Sequence, residues 1–202
     1  MNVNMDFNIK TSKTINFFSL LEKKKIVSQS NLAKDVLISL GMANAILKKA
    51  ISKGFVKVKS APYKRYIYYL TKDGFKEKSR LVKEYLDYSL NFFKQAKNAY
   101  LKILIEIKKR KFSVVLVGEG DLVDICKLSL LQENLEILDH LKIDSNKKIK
   151  INSKKIISKL NDTAFIIVES KNPQLIYDEL NRNLNPINVF YPKFLHISKK
   201  PK

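Results

Sequence analysis

The stretch 28–70 constrains the fold most, because two helical patterns are followed there by two strand-like runs around a short basic loop. Serines precede the first helical pattern, and Gly54 offers a left-handed stop after the second. Residues 55–59 alternate and residues 66–70 are rich in aromatic and branched side chains, as strands of a small sheet require. The order helix, turn, helix, hairpin predicts a winged helix-turn-helix, whose helices would bury Leu32, Ala33, Val36, Ala43, Ile46, Leu47 and Ala50.

In such a domain the second helix enters the major groove of DNA and the hairpin loop forms the wing. The side chains on the outer face of that helix are the candidates for the major groove, namely Ser39, Met42, Asn44, Lys48 and Lys49. Lys64 and Arg65 lie at the tip of the wing, where we expect them to contact phosphates or the minor groove. The alternative is a helical pair and a hairpin of an unrelated domain, with lysines that are only solvated.

The basic charge is concentrated in the same part of the chain. The formal net charge is +20, and residues 1–110 contribute +16 of it, with 24 lysines and arginines against eight acidic side chains. Residues 111–202 contribute +4. This distribution fits phosphate binding by the first half, so we expect double-stranded DNA as the partner.

Several function classes find no support in the composition. No run of about 18 apolar residues predicts a membrane span, and the first residues lack the apolar core of a signal peptide, so we expect a cytoplasmic protein without a membrane partner. One cysteine, Cys126, excludes an intramolecular disulfide and a cysteine-based zinc site. His140 and His196 have no companion that suggests a metal or a catalytic triad. The sequence therefore predicts neither a catalytic site nor a metal site, and we expect a protein that is not an enzyme.

A long helix is predicted to connect two halves of the chain. After Gly74, residues up to Arg110 contain neither glycine nor proline, which predicts a helix of about 35 residues, near 50 Å in length. Its apolar residues recur in alternating steps of four and three, the spacing of a coiled-coil seam, at Val82, Leu86, Phe93, Ala96, Tyr100, Ile103 and Ile107, with Ser89 in the one polar slot and with Leu90 and Leu104 broadening the seam. Pairing of two such helices would give a homodimer through the long helix. The alternative is that the seam packs against the C-terminal half of its own chain.

The runs LAKDVLISLGMANAILKKAISKGFVKV and YIYYLTKDGFKEKSRLVKEYLDYSLNFF resemble the winged-helix regulators of the MarR type. They are most similar to the group associated with exopolysaccharide gene clusters, in the turn ahead of the second helix, the KGFVKV strand and the T-x-x-G that opens the long helix. The resemblance covers residues 13–105 and implies sequence-specific DNA binding with transcriptional control of surface-polysaccharide genes. Met42 departs from the small or polar residue that such families often have at this position.

The C-terminal half predicts a small α/β domain. Residues 113–117 and 164–168 are continuous apolar runs of the kind that buried parallel strands require. A strand at 135–138 ending at Asp139, a helix from Pro173 and a last strand at 187–191 complete an alternation of strands and helices. This alternation predicts a three-layer, Rossmann-like domain with a mostly parallel sheet.

A glycine turn follows the first strand of this domain. Gly118 and Gly120 resemble the opening of a dinucleotide-binding fold, and Asp139, 21 residues after Gly118, is near the position of a ribose-binding acid. The third glycine is replaced by Val123, and Glu119 and Asp121 add negative charge where a phosphate would lie. We therefore name no definite cofactor. A nucleotide or dinucleotide effector is one interpretation, and a tight structural turn between strand and helix explains the glycines equally well.

Together these patterns predict an α+β chain. A winged helix-turn-helix occupies residues 1–73, a linker or dimerisation helix 74–110, and a Rossmann-like domain 111–202. The first hypothesis is a dimeric DNA-binding transcriptional regulator whose C-terminal domain senses a small-molecule effector. The alternative is a nucleotide- or sugar-nucleotide-binding α/β module, or a small enzyme, tethered to a winged-helix interaction domain.

Overall fold

The computed structural model describes residues 2–23, 29–61, 65–143, 149, 154–183 and 188–199. The chain divides into two compact units, residues 1–90 and 91–202, and the boundary falls inside one long helix. Each unit has a hydrophobic core of its own. Across the described residues no helix is long and apolar enough to cross a membrane.

The described residues of the first unit form three helices, a hairpin and the start of the long helix. Its elements are α1 (Asn2–Lys23), α2 (Gln29–Asp35), α3 (Leu40–Ser52), β1 (Val56–Ala61), β2 (Arg65–Leu70) and the beginning of α4 (Lys72–Arg110). β1 and β2 pair antiparallel, from Val56 opposite Leu70 to Ala61 opposite Arg65. The order of α2, α3, β1 and β2 is the order that the sequence predicts.

The core of this unit forms where the apolar stripes of its helices meet. All seven predicted inner residues of α2, α3 and the turn between them are buried, together with Phe17, Phe18 and Leu21 of α1. Val56 and Tyr68 close the core from the hairpin, and Leu81 from α4. Tyr68 also accepts a hydrogen bond at its hydroxyl from Gln29 Nε2, 3.1 Å away. The helical periodicity of the sequence therefore locates this core correctly.

The T-x-x-G motif explains how the hairpin passes into the long helix. Thr71 Oγ1 accepts a hydrogen bond from the backbone N–H of Gly74 at 3.1 Å, as an N-cap side chain does. The same hydroxyl donates to the carbonyl of Gly54 at 2.7 Å. A Cβ at position 74 would overlap the carbonyl oxygen of Phe55. Glycine is therefore required because the first turn of α4 lies against the start of the hairpin.

The second unit is a parallel four-stranded sheet with helices on both faces. The sheet has the order β4-β3-β5-β6. One face is covered by α5 and the C-terminal part of α4, and the other by α6 and α7. This agrees with the predicted three-layer α/β arrangement, whose elements are β3 (Ser113–Val117), α5 (Asp121–Glu133), β4 (Ile137–Leu141), α6 (Lys154–Ile157), β5 (Thr163–Ile167), α7 (Pro173–Asn183) and β6 (Val189–Phe190).

The predicted seam of α4 serves two environments. The expected long helix is present and spans 39 residues. Within the second unit, Ala96, Tyr100 and Ile107 are fully buried against β3, β5 and α5, so this part of the seam follows the alternative in which the helix packs against its own chain. The prediction that this seam pairs with a second chain along the whole length of the helix is therefore wrong. In the first unit, Leu86 and Leu90 remain 52% and 56% exposed.

Candidate nucleic-acid interface and glycine turn

Helix α3 begins at a well-formed cap. Ser39 is extended, its Oγ accepts a hydrogen bond from Met42 N at 3.2 Å, and its carbonyl accepts one from Ala43 N at 3.0 Å. Helix α2 ends just before, at a turn in which Leu37 has the left-handed φ of +55°. The exposed serine thus fixes where α3 starts, and its side chain is already engaged with the helix backbone.

The predicted groove-facing residues of α3 do not all share one environment. Lys48 and Lys49 are exposed, as expected for outward-facing lysines. Met42 and Asn44 are half-buried, and Asn44 Oδ1 is shielded from solvent without a hydrogen-bond partner among the described groups. Both lysines are therefore accessible to solvent, whereas the amide oxygen of Asn44 is not.

The hairpin presents basic side chains that the sequence analysis did not select. Lys57 and Lys59 are exposed on β1, opposite Tyr69 and Ile67 of β2, on the face directed away from the core. The alternation in FVKVK was the signal that could have identified them. Arg65 begins β2, whereas Lys64 lies outside the described residues.

A cavity of about 710 Å³ lies within the first unit, between α1, α3 and α4. Met42 and Lys49 line it, so these two predicted interface residues are on the side of α3 that faces this cavity. On its α4 wall, Glu77 accepts two hydrogen bonds from Arg80, from Nε at 2.7 Å and Nη2 at 2.8 Å. The hydrogen bonds from Arg80 lower the pKa of Glu77, so this carboxylate stays charged beside the lysine of α3.

The glycine turn of the second unit is closed by a carboxylate of the same chain. Gly118 and Gly120 have φ values of +120° and +101°, which favour glycine. Glu169, which follows β5, accepts a hydrogen bond at Oε2 from the backbone N–H of Glu119 at 3.2 Å. Its Oε1 accepts another from the N–H of Lys171 at 2.7 Å. The carboxylate of Glu169 therefore already accepts a hydrogen bond from a backbone N–H of the turn, and a bound phosphate would need that same N–H.

Close packing accounts for the first glycine. A Cβ at Gly118 would lie 2.6 Å from Cβ of Glu169 and 2.9 Å from its backbone nitrogen. At Gly120 a Cβ would meet nothing within 4 Å. The parallel pairing of β3 with β5 brings Gly118 next to Glu169, so close packing together with the positive φ is sufficient to explain this glycine without a ligand.

The predicted ribose acid does not lie at the end of its strand. β4 spans Ile137–Leu141 rather than 135–138, so Asp139 is in the middle of it, opposite Val115. Asp139 Oδ1 accepts a hydrogen bond from the backbone N–H of His140 at 2.7 Å. The side chain that reaches the glycine turn is His140, whose Nε2 lies 2.7 Å from the carbonyl oxygen of Gly118.

The single cysteine lies in the packed core. Cys126 is fully buried in α5, and burial raises its thiol pKa to about 12. A protonated, enclosed thiol is a poor nucleophile and a poor metal ligand. Over the ranges that the structure describes, no group of three or more histidine, cysteine or acidic side chains is arranged to hold a metal ion.

Comparison with models of protein families and with curated proteins finds no match to this chain.

Proposed function

We propose that this protein is a DNA-binding transcriptional regulator of the MarR-like type, in which α2, α3 and the β1–β2 hairpin form a winged helix-turn-helix. The observation that carries the proposal is the common exposure of Lys48 and Lys49 on α3 and of Lys57 and Lys59 on the hairpin. These side chains belong to the half of the chain with a net charge of +16. Lysines distributed over a helix and an adjacent hairpin suit the phosphates that flank a major groove.

The C-terminal unit is then a structural or sensing domain rather than the working part. A nucleotide at its glycine turn would have to displace the carboxylate of Glu169 and approach the charges of Glu119 and Asp121. This electrostatic arrangement disfavours the alternative of a nucleotide-binding module or small enzyme. Control of surface-polysaccharide genes remains the expectation that follows from the sequence resemblance.

The DNA-binding proposal is tested by fluorescence anisotropy with DNA from the protein's own upstream region and a scrambled duplex, at several salt concentrations. Lys48→Ala/Lys49→Ala should bind both duplexes more weakly, and the slope of log K against log salt should fall by about one for each phosphate contact that is lost. The matched control is Lys127→Ala/Lys171→Ala, which removes two exposed lysines from the second unit. Equal losses in both variants would mean that net charge alone drives binding, and no preference of the native protein for its own DNA would refute a sequence-specific regulator.

We also propose that the regulator dimerises through the part of α4 that lies in the first unit. Leu86 and Leu90 are one helical turn apart and about half exposed. Burying each stabilises a dimer by about 1 kcal/mol, whereas association costs at least about 4 kcal/mol. The four leucines of two chains therefore contribute about 4 kcal/mol, which at best offsets the cost of association, so a stable dimer needs further contacts beside these leucines.

Sedimentation velocity over a wide range of protein concentrations tests the dimer. Leu86→Glu/Leu90→Glu should be monomeric throughout, because the substitution would bury like charges in the interface. Leu128→Glu/Leu131→Glu is the control, since it places the same charges on two exposed leucines of α5. A double glutamate variant of α4 that dimerises like the unmodified chain would show that the interface lies elsewhere.

A further inference from the structure

The start of α3 exposes apolar atoms where a recognition helix meets the bases. Leu40 is the first residue of the helix, directly after the cap at Ser39, and 50% of its surface is exposed. Gly41 beside it and Ala45 one turn later are exposed as well. In helix-turn-helix proteins the N-terminal residues of the second helix are the ones that contact base edges.

The same part of α3 carries few hydrogen-bonding side chains. Between Leu40 and Leu47 the only polar side chain is Asn44, and its Oδ1 is buried without a described partner. Ser39, just before the helix, already accepts at Oγ the capping hydrogen bond from the N–H of Met42. The first hydrogen-bonding side chain within α3 that is exposed rather than half-buried is Lys48, two turns from the N-terminus. Bidentate hydrogen bonds to guanine or adenine, the usual means of base recognition, have no suitable side chain here.

The one apolar group on the base edges of the major groove is the C5-methyl group of thymine. We propose, on the basis of the DNA-binding function proposed above, that Leu40 determines sequence preference by covering thymine methyl groups. The absence of a side chain at Gly41 assists, because a Cβ there would point into open space that a base edge can occupy instead. Lysines of α3 and the hairpin then supply affinity through phosphates, while Leu40 supplies selectivity.

Deoxyuridine provides a direct test, because it removes the methyl group of thymine and leaves the Watson–Crick edge and O4 unchanged. Selection from random duplexes with the full-length protein first yields its preferred site. Each thymine of that site is then replaced by deoxyuridine and the affinity is measured. One covered methyl group corresponds to about a fourfold change in affinity, so at least one substitution should weaken binding by about that factor.

The variant Leu40→Ala tests whether a preference for thymine depends on this leucine or on another contact of the protein with the thymine. It should bind the thymine site about fourfold more weakly than the unmodified protein, and it should no longer distinguish thymine from deoxyuridine. Leu131→Ala, the same change at an exposed leucine of the second unit, should retain the full distinction. Because alanine favours helix and Leu40 is half exposed, circular dichroism should show an unchanged fold.

Three results bear differently on the two proposals. Enrichment of a defined site, with a deoxyuridine penalty that Leu40→Ala abolishes, supports the inference. Enrichment of a defined site without any deoxyuridine penalty, or with a penalty that Leu40→Ala keeps, overturns the role of Leu40 and leaves the regulator intact. Failure to enrich any site refutes the proposed function and, with it, the basis of this inference.

Discussion

Replacing the two glycines of the β3–α5 turn separately should reveal what each is for. In Gly118→Ala the new methyl group would lie 2.6 Å from Cβ of Glu169 and 2.9 Å from its backbone nitrogen. Overpacking of this kind costs about 1–3 kcal/mol, and alanine at a φ of +120° adds backbone strain of about 1–3 kcal/mol. In Gly120→Ala only the second cost applies, because nothing lies within 4 Å of the new Cβ. We therefore expect Gly118→Ala to be the more destabilising by about 1–3 kcal/mol.

The measurement has to report on the sheet itself, because the chain consists of two units that share α4. Native-state hydrogen exchange gives the free energy of opening for the amides of β3 and β5, and urea unfolding followed by far-UV circular dichroism gives the overall loss. The opening free energy should fall for both strands in Gly118→Ala, since Glu169 lies only two residues after the end of β5. Equal losses at the two glycines would refute the idea that packing against Glu169 requires Gly118.

Three further predictions concern buried groups. Tyr100→Phe removes a buried hydrogen bond of 3.1 Å to a main-chain carbonyl of β5, and should lower the free energy of unfolding by about 0.5–1.5 kcal/mol in urea titrations. Because burial raises the thiol pKa of Cys126 to about 12, a disulfide reagent at pH 8 should react with the folded chain only slowly and with the urea-unfolded chain quickly; rapid reaction of the native protein would contradict its burial. Gly74→Ala would place a Cβ on the carbonyl oxygen of Phe55, and thermal unfolding should show a loss of about 1–3 kcal/mol, whereas an unchanged melting temperature would mean that the turn adapts freely.

Local sequence patterns correctly predicted the elements whose residues have a uniform character along the chain, such as a continuous apolar run or a long stretch without glycine or proline. The apolar run at 113–117 is β3, at the centre of the parallel sheet, and the residues without glycine or proline after Gly74 lie in α4. β4 was placed too early, at 135–138. It is the edge strand of its sheet, and its half-buried Asp139 and His140 interrupt the apolar run by which a buried strand is recognised.

The surroundings of the glycine turn could not be predicted from neighbouring residues. Glu169 lies 51 positions after Gly118, and only the pairing of β3 with β5 brings the two together. The sequence showed Glu119 and Asp121 as unfavourable for a phosphate, but gave no sign that a third carboxylate takes the backbone donor. Incomplete glycine motifs are ambiguous for this reason: the glycines report close approach of another group to the backbone, and the group can be a ligand or the chain itself.

The seam of α4 shows the same limit for helices. Its spacing of four and three predicts that one stripe of the helix is buried. The spacing does not distinguish burial against the same chain from burial against a second chain. For Ala96, Tyr100 and Ile107 the cover is the sheet that follows in the chain, whereas Leu86 and Leu90 have no such cover within their own unit. Half-exposed leucines are common on monomeric proteins, and Leu128 and Leu131 of α5 are exposed to a similar or greater extent. A second chain over Leu86 and Leu90 is therefore a proposal that the double glutamate variant of α4 tests, and the regulator that we propose requires that chain if its DNA site is symmetric.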